Sequence, residues 1–361
     1  MRTAVVILNW NTRDYLDRFL PPLLQSLQGL DAGVVVADNA STDGSRALLA
    51  ERFPQVRTLL LEENFGFTGG YNRAFAQLLA EREAPEYLVL LNSDIEVAPG
   101  WLEPLTAWMD AHPDYAACGP KLHALLRGDD GFRRSDRFEY AGAAGGLLDR
   151  YGFPFCRGRV LSRTEEDRGQ YDTPADVLWV SGACLLVRAR CWRELGGLDA
   201  RFFAHMEEID WCWRAQLHGY RVGVVPQSCV WHLGGGTLPP ASPFKLKLNY
   251  RNGLLLLENN LPATLGPARA RRRIRVRKIL DCAAAIVYLL SGKAACARAV
   301  RDAHREYRQL RTTPGTEKAP GMPADAGSAK VSGLSDVRIL LRAALRGKKI
   351  FNDLRRHEDR H

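Results

Sequence analysis

Tyr87-Leu88-Val89-Leu90-Leu91 is an unbroken apolar run that stops abruptly at Asn92-Ser93-Asp94. So short a run, bounded by polar residues, reads as a strand buried on both faces, the inner strand of a parallel sheet. Parallel neighbours need crossover connections, so helices must flank it. Ala4–Leu8, Gly33–Ala37 and Arg57–Leu61 are three earlier runs of the same kind, each followed by a helix-like segment. The first hundred residues therefore predict four βα units and an α/β fold. In the first helical segment, Pro21-Pro22 predicts a break or restart.

Every one of these strands ends in polar side chains. The first runs into Asn9-Trp10-Asn11, the second into Asp38-Asn39-Ala40-Ser41-Thr42-Asp43-Gly44, and the third into Glu63-Asn64-Phe65-Gly66. Asn-Ser-Asp alone would suit a simple turn. Four polar strand ends together mark the ligand edge of an open sheet, beyond the carboxyl ends of its strands. Asp38 can accept from a base imide or a sugar hydroxyl. Gly66, Gly69 and Gly70 would let backbone approach a diphosphate at a helix N-terminus. Asp94, on a rigid strand end, suits a hard divalent cation that also holds phosphate oxygens. The first strand is followed by no Gly-x-Gly-x-x-Gly, and the chain has no Walker loop, which disfavours a dinucleotide oxidoreductase and a P-loop enzyme.

Further along, 101–109 predicts a helix and 115–119 a strand. Residues 120–175 read as an irregular insertion or acceptor-side loops, with short strand-like pieces at Phe138–Ala141 and Leu147–Tyr151, and 177–187 as buried strand material around Ser181-Gly182. A helix then starts near Glu207, with Glu207, Glu208 and Asp210 in its first turn. Phe202, Phe203, Trp211 and Trp213 flank these acids and predict that some lie in a pocket. At roughly 100° per residue, Glu207 and Asp210 share a face while Glu208 projects separately. A proton-accepting role falls either to that pair or to Glu208. His232, ahead of Gly234-Gly235-Gly236, is a further candidate ligand.

The net charge of +9 is uneven. Residues 262–361 carry 23 Lys/Arg against 9 Asp/Glu, or +14, and the first 261 carry 27 against 32, or −5. The expected division is a catalytic domain over 1–261, a basic helical extension over 262–311, a flexible Pro/Gly/Ala/Ser-rich linker over 312–333 and a basic amphipathic helix over 334–361. That last helix, with Val337, Leu340, Leu341 and Phe351 among its basic residues, suggests an anionic membrane surface. No nucleic-acid-binding fold or aromatic platform accompanies the charge, so nucleic acid is not expected as a partner. The apolar run Ile279–Leu290 is short for a bilayer and contains Asp281. Arg2-Thr3 leads straight into the first strand with no signal segment. The eight cysteines form no Cys-x-x-Cys pair. A cytoplasmic protein, peripheral on the inner face of the membrane, is expected.

Taken together, Val6-Ile7-Leu8-Asn9-Trp10-Asn11, Asp38 to Gly44, Glu63 to Phe67, Asn92-Ser93-Asp94, Glu207-Glu208-Ile209-Asp210 and His232 resemble glycosyltransferase family 2 over about residues 3–255. The nearest subgroup is similar to bacterial rhamnosyltransferases of polysaccharide assembly. The resemblance implies a GT-A (Rossmann-like), mostly parallel sheet flanked by helices. It implies an inverting enzyme that moves a sugar, rhamnose in that subgroup, from a dTDP- or UDP-sugar to a glycan or lipid-linked acceptor. Asp94 and His232 would hold Mg²⁺ or Mn²⁺, and Glu208 would be the general base, with Glu207 and Asp210 in possible support. Asn9, Asn11, Asp38, Asn64, Gly66, Asn72, Asn92 and Ser93 would line the nucleotide. Here Asn92 stands where the family has the first acid of Asp-x-Asp, and Glu208 where it has Asp. Two rivals are a non-catalytic nucleotide-sugar-binding protein, which would not need Glu208, and a nucleotidyltransferase, which would need a basic Gly-rich loop after strand one.

Overall fold

The computed structural model describes residues 1–128, 131–234, 242–312 and 331–358. Its amino-terminal part runs β1 (Thr3–Asn9), α1 (Arg13–Ser26), β2 (Ala32–Asp38), α2 (Ser45–Arg52), β3 (Arg57–Leu60), α3 (Gly66–Leu79) and β4 (Tyr87–Leu91). β5 (Ile95–Val97), α4 (Leu102–Ala111), β6 (Tyr115–Gly128) and β7 (Gly131–Phe138) follow. Four short strands, β8 (Gly146–Leu148), β9 (Pro154–Cys156), β10 (Arg159–Val160) and β11 (Arg163–Thr164), make a separate small sheet. β12 (Ala175–Asp176), β13 (Cys184–Arg188), α5 (Ala189–Leu195), α6 (Glu207–Leu217) and β14 (Arg221–His232) return to the main sheet. The chain ends in α7 (Pro243–Leu265), α8 (Pro267–Leu290), α9 (Ala294–Thr312), α10 (Ile339–Arg346) and α11 (Ile350–Glu358).

The main sheet has the order β12-β14-β6-β13-β4-β1-β2-β3. β3, β2, β1 and β4 are parallel, β13 is antiparallel to β4 and β6, and β14 is parallel to β6. The sheet is therefore mixed, with a parallel amino-terminal half. β4 lies inside it, and its alternation divides the core. Leu88 and Leu90 join Tyr71, Phe75, Trp192 and Trp211 on one face, while Tyr87, Val89 and Leu91 join Leu16, Leu20, Leu48 and Leu105 on the other.

Several expectations need correction. α1 runs unbroken through Pro21 and Pro22. Both prolines are exposed, and Leu16, Phe19, Leu20 and Leu23 bury the helix on the sheet from either side of them. Packing there outweighs two lost backbone bonds. Residues 120–175 hold more strand than expected: β6 extends to Gly128 and pairs with β14 and β7. Its polar Lys121 and His123 hid the strand, but both close on Asp167, at 2.8 and 2.9 Å. The 177–187 stretch is regular strand only from Cys184.

The expected domain boundary at 261 falls inside α7, whose Leu254 to Leu257 and Leu261 belong to the main core. Of the expected 312–333 linker, Thr312 ends α9, 313–330 lie outside the described residues, and Val331–Gly333 are docked. Ser332 N–H donates to Gln216 at 2.7 Å, and the Gly333 carbonyl accepts from Leu148 N–H at 3.0 Å. The single helix expected over 334–361 is instead α10 and α11, separated at Gly347 (φ 54°), where an L residue is strained. Val337, Ile339, Ala343, Ile350, Phe351 and Leu354 pack on Phe155 and Val160 of the small sheet.

Candidate active site

Strand register assembles the first half of the site. β5 pairs with the end of β14, so His232 lies opposite Ile95 and beside Asp94. Leu233 N–H donates to the Asp94 carbonyl at 3.1 Å and holds that register. His232 Nε2 is 3.2 Å from Asp94 Oδ1, and its Nδ1 is 3.4 Å from Glu139 Oε2 at the exit of β7. The Asn92 amide lies 3.3 Å from the same Nε2. All three of Asp94, His232 and Glu139 are buried. Burial opposes charge on His232, but the two carboxylates prevail and raise its pKa well above the usual imidazole value. Burial likewise works against the Asp94 carboxylate, and His232 overcomes it, lowering the Asp94 pKa. Glu139 was not singled out from sequence. It lies in a strand-like piece with no motif of its own, and only the β6–β7 pairing brings it here.

Among the described residues no group of three or more acids, histidines or cysteines is placed to hold a metal ion. An open site is a different matter. Asp94 Oδ1 and His232 Nε2 stand 3.2 Å apart as an acid–imidazole pair, and a metal would take the place of the proton between them. Glu139 faces the other ring nitrogen, the usual partner of a metal-binding imidazole. A carboxylate and an imidazole held together at the sheet edge are donors that would suit a divalent ion.

Glu208 forms the second half. Asn92 N–H donates to the Ala183 carbonyl at 2.9 Å, joining the Asn92-Ser93-Asp94 turn to Ser181-Gly182-Ala183. A Cβ on Gly182 would lie 3.6 Å from the Glu208 Cβ and 3.3 Å from the Phe67 ring. Glu208 thus stands one loop away from Asp94. Burial pushes its pKa up to about 7, against the opposing pull of the α6 amides. Glu207 is pushed well up by burial and then by Glu208, and each acid has one oxygen without a hydrogen-bond partner.

Asp210 serves α6 itself. It is fully buried, accepts from Arg214 Nε at 2.8 Å and from the amides of Asn259 and Asn260 at 2.9 and 2.8 Å. The expected catalytic support from Asp210 is corrected by these contacts. Trp211 and Trp213 are also core residues rather than pocket walls, and only Phe203 of the four aromatics is exposed.

The chain entering α6 is strained. Phe203, His205 and Met206 have φ of 63°, 70° and 69°, and Ala204 N–H closes a three-residue turn on the Phe202 carbonyl at 2.7 Å. α7 clamps this turn. Asn252 Nδ2 reaches the carbonyls of Phe202, Ala204 and His205 at 3.0, 2.8 and 2.7 Å, and Arg251 Nη2 donates to Phe202 at 2.7 Å. Nothing in the local sequence of α7 marks Arg251 and Asn252 for this task.

The expected nucleotide-lining residues divide. Asn9, Asp38 and Ser41 form one network: Asn9 Nδ2 donates to Asp38 at 3.0 Å, and Ser41 N–H and Arg46 Nε donate to Asp38 at 3.0 and 2.6 Å. Asp38 is fully buried, so its acceptors are taken up by the loop, with part-exposed Arg46 over it. Asn11 accepts from Thr42 N–H at 2.7 Å and stays exposed beside Trp10. Asn64 accepts from Asn39 and from Gly66 N–H, both at 2.9 Å, and is exposed. Asn92 and Ser93 are partly exposed at the turn.

Two expectations are corrected. Asn72 donates to the Leu198 carbonyl at 2.8 Å and accepts from its N–H at 2.9 Å, so it pins a turn rather than lining a nucleotide. The Gly66 turn does not present free amides either. Phe67 and Thr68 N–H donate to the Phe203 carbonyl at 2.8 and 3.1 Å. Gly66 leaves room for the Phe203 ring, and Gly70 lets α3 approach Leu8 of β1.

The mixed sheet is that of the GT-A glycosyltransferases, and the acid–imidazole pair and the raised carboxyl stand at its carboxyl edge. The family model Glycosyl transferase family 2 matches residues 4–164, and Glycosyl transferase family group 2 matches 155–292. Between them the two models span residues 4–292, so the chain is similar to glycosyltransferase family 2 over most of its length. It is 29% identical over 234 residues, 63% of this chain and 75% of the relative, to N-acetylglucosaminyl-diphospho-decaprenol L-rhamnosyltransferase of Mycobacterium tuberculosis. It is 24% identical over 237 residues, 64% of this chain and 17% of the relative, to O-antigen biosynthesis protein RfbC of Myxococcus xanthus. In fold it is similar to GalNAc-T7 with UDP, GalNAc and Mn²⁺ (TM-score 0.54, 20% identity, 72% of this chain and 48% of that one). A mannosyltransferase of Pyrobaculum calidifontis with GDP-Man and Mn²⁺ gives a TM-score of 0.50 at 14% identity, over 86% of this chain and 88% of that one.

Proposed function

We propose that this glycosyltransferase moves rhamnose from a dTDP- or UDP-linked donor to a hydroxyl of a lipid-linked glycan, with inversion at the anomeric carbon. The carrying observation is Glu208: a carboxyl raised to about 7, with an unpartnered oxygen, one loop from the Asp94–His232 pair. A general base works best with a pKa near the working pH. Likeness to the mycobacterial rhamnosyltransferase supports the choice of sugar and of a lipid-linked acceptor.

Asp94 and His232 would hold Mg²⁺ or Mn²⁺, with Glu139 facing the other ring nitrogen, and that charge would offset what grows on the departing diphosphate. Asn11, Asn64, Asn92 and Ser93 meet the nucleotide, and the buried Asn9–Asp38 network fixes the loop that carries them. Glu208 takes the proton of the acceptor hydroxyl as that oxygen bonds to C1. The C1–O bond to the diphosphate breaks on the opposite side, which inverts the configuration. No covalent sugar–enzyme intermediate is needed. On this reading the enzyme works at the cytoplasmic face of a membrane; no described helix is long and apolar enough to cross one.

Nucleoside diphosphate release, measured over a panel of nucleotide-sugars with a prenyl-diphosphate-linked N-acetylglucosamine acceptor and Mn²⁺ or Mg²⁺, tests this reading. Turnover with a rhamnosyl donor, and a product anomer opposite to the donor's by NMR, is expected. Retention of configuration, or turnover only with another sugar, would overturn it.

A further inference from the structure

α8 turns an apolar stripe outward. Its inward side, Ala270, Ile274, Arg277 and Asp281, is buried, and the helix lies with α7 and α9. Asp281 interrupts the apolar run in sequence but not on the surface. It accepts from Arg277 Nε at 2.8 Å and sits 3.2 Å from His304 Nε2. Lys278 lies over the Tyr307 ring at 4.6 Å. The outward stripe is therefore uncharged from Ile279 to Gly292, and Ile279, Ile286, Val287, Leu289 and Leu290 are 57–85% exposed along it. Positions 275, 279, 282, 286 and 290 recur every three or four residues, so they form one line down the helix.

At one end of that line stand Arg271, Arg272 and Arg275, and at the other Lys293, all exposed. Among the described residues, the arginines of α8 that pair with acids are Arg273, with Asp336 at 3.1 Å, and Arg277. An aliphatic stripe flanked by unanswered cations, with no acid on it, matches a surface that is apolar below and anionic above. A second copy of the chain fits less well. Pairing the stripes in either direction would set these cations against one another or against Lys293, with no acid on the stripe to answer them.

We propose that the outward face of α8 docks on an anionic lipid surface, its aliphatic side chains entering the headgroup–acyl boundary while Arg271, Arg272 and Arg275 meet lipid phosphates. The inference rests on the lipid-linked acceptor of the preceding reading and names the face that meets the lipid. The helix lies on the bilayer. Twelve residues rise roughly 18 Å, short of a hydrocarbon core of about 30 Å. The expected contact through the C-terminal segment is displaced, because the small sheet covers much of that segment's apolar side.

The full chain is tested by co-sedimentation with phosphatidylcholine vesicles, with and without phosphatidylglycerol, at low and high salt. An environment-sensitive fluorophore on exposed Cys282 reads insertion at the stripe itself. Binding to the phosphatidylglycerol vesicles, a blue shift of the label and reversal by salt are expected. Ile286→Ser with Leu290→Ser, or Arg271→Glu with Arg272→Glu, should each weaken partitioning roughly tenfold or more. All four positions are exposed, and unchanged thermal melts confirm folding. Leu341→Ser with Leu345→Ser, on α10, should bind like the parent. Indifference of the parent to phosphatidylglycerol overturns the proposal. So does equal binding by the α8 variants, or a dimer in light scattering that Ile286→Ser with Leu290→Ser dissolves. The vesicles carry no donor or acceptor, so their result stands apart from the transfer assay, and failure of either reading leaves the other measurable.

Discussion

At the scale of single residues, the site turns on environment rather than residue type. Glu207, Glu208 and Asp210 are three acids in one helical turn with three different surroundings. Asp210 is caged by Arg214, Asn259 and Asn260, Glu207 is buried without a full set of partners, and Glu208 faces Gly182 and Phe67. Glu208→Gln keeps the shape and removes the basicity. Donor binding by calorimetry should survive while turnover falls about 10²–10⁴-fold, the usual contribution of a general base. Near-normal turnover in this variant, with a loss in Glu207→Gln, would move the role to Glu207.

The raised pKa also sets the pH dependence. The base works deprotonated, so kcat/KM should climb with pH and level off above about 7, and Glu208→Gln should lack that limb. Stability runs the other way. The folded carboxyl holds its proton above the ordinary 4.5, so folding stability is lost as pH rises from there through about 7. Glu208→Gln should therefore gain in melting temperature at pH 8 relative to its parent more than at pH 5. At the other half of the site, Asp94→Ala should abolish transfer and the Mn²⁺-dependent part of nucleoside diphosphate binding. His232→Ala should weaken metal dependence more mildly. Calorimetric titrations with and without Mn²⁺ check both, and unchanged metal-dependent binding in Asp94→Ala would remove the metal assignment.

At the scale of elements, α6 is aimed by a turn that would not hold its shape alone. Phe203, His205 and Met206 adopt left-handed backbone, and Asn252 on α7 gathers three carbonyls of that turn. Asn252→Ala takes the donor from the Ala204 and His205 carbonyls, while Phe202 keeps Arg251 Nη2 and Ala204 N–H, and each buried unsatisfied group costs about 1–3 kcal/mol. A loss of that order in urea denaturation is expected, together with a fall in kcat larger than the change in donor affinity, since the turn sets where Glu208 points. A stability loss with unchanged kcat would make the clamp purely structural.

For the whole molecule, the basic extension is continuous with the catalytic body. α7 carries the Asn252 clamp, fills the main core with Leu254 to Leu257, and lies with α6, α8 and α9. A chain cut after Leu261 should fail to give a cooperative melt by circular dichroism, because α7 loses its end and the helices that cover it. Cooperative folding with parental donor binding in that fragment would restore the division at 261.

The amino-terminal half was legible because its signals are local. A strand buried on both faces must be apolar throughout, and it must stop where it meets solvent and ligand. Hence β1, β2 and β4 and their polar ends could be read from runs such as Val5-Val6-Ile7 or Leu88-Val89-Leu90, while β3 is the exposed edge strand. Asp94, His232 and Glu208 were nameable because family 2 places those groups at motif positions. What the sequence could not decide was which side chains meet across the chain. Glu139 reaches His232 only through the pairing of β6 with β7 and β14. Asp38 and Asn72 look like ligand-facing polar groups in one dimension, yet neighbours from Arg46 and Leu198 occupy them. Asp281 interrupts an apolar run in sequence but leaves the surface stripe intact, since Arg277 and His304 hold it inside. Periodicity along one segment tells which face is apolar. Whether a polar group is answered by solvent, by a ligand or by another part of the protein is fixed only when distant segments pack together.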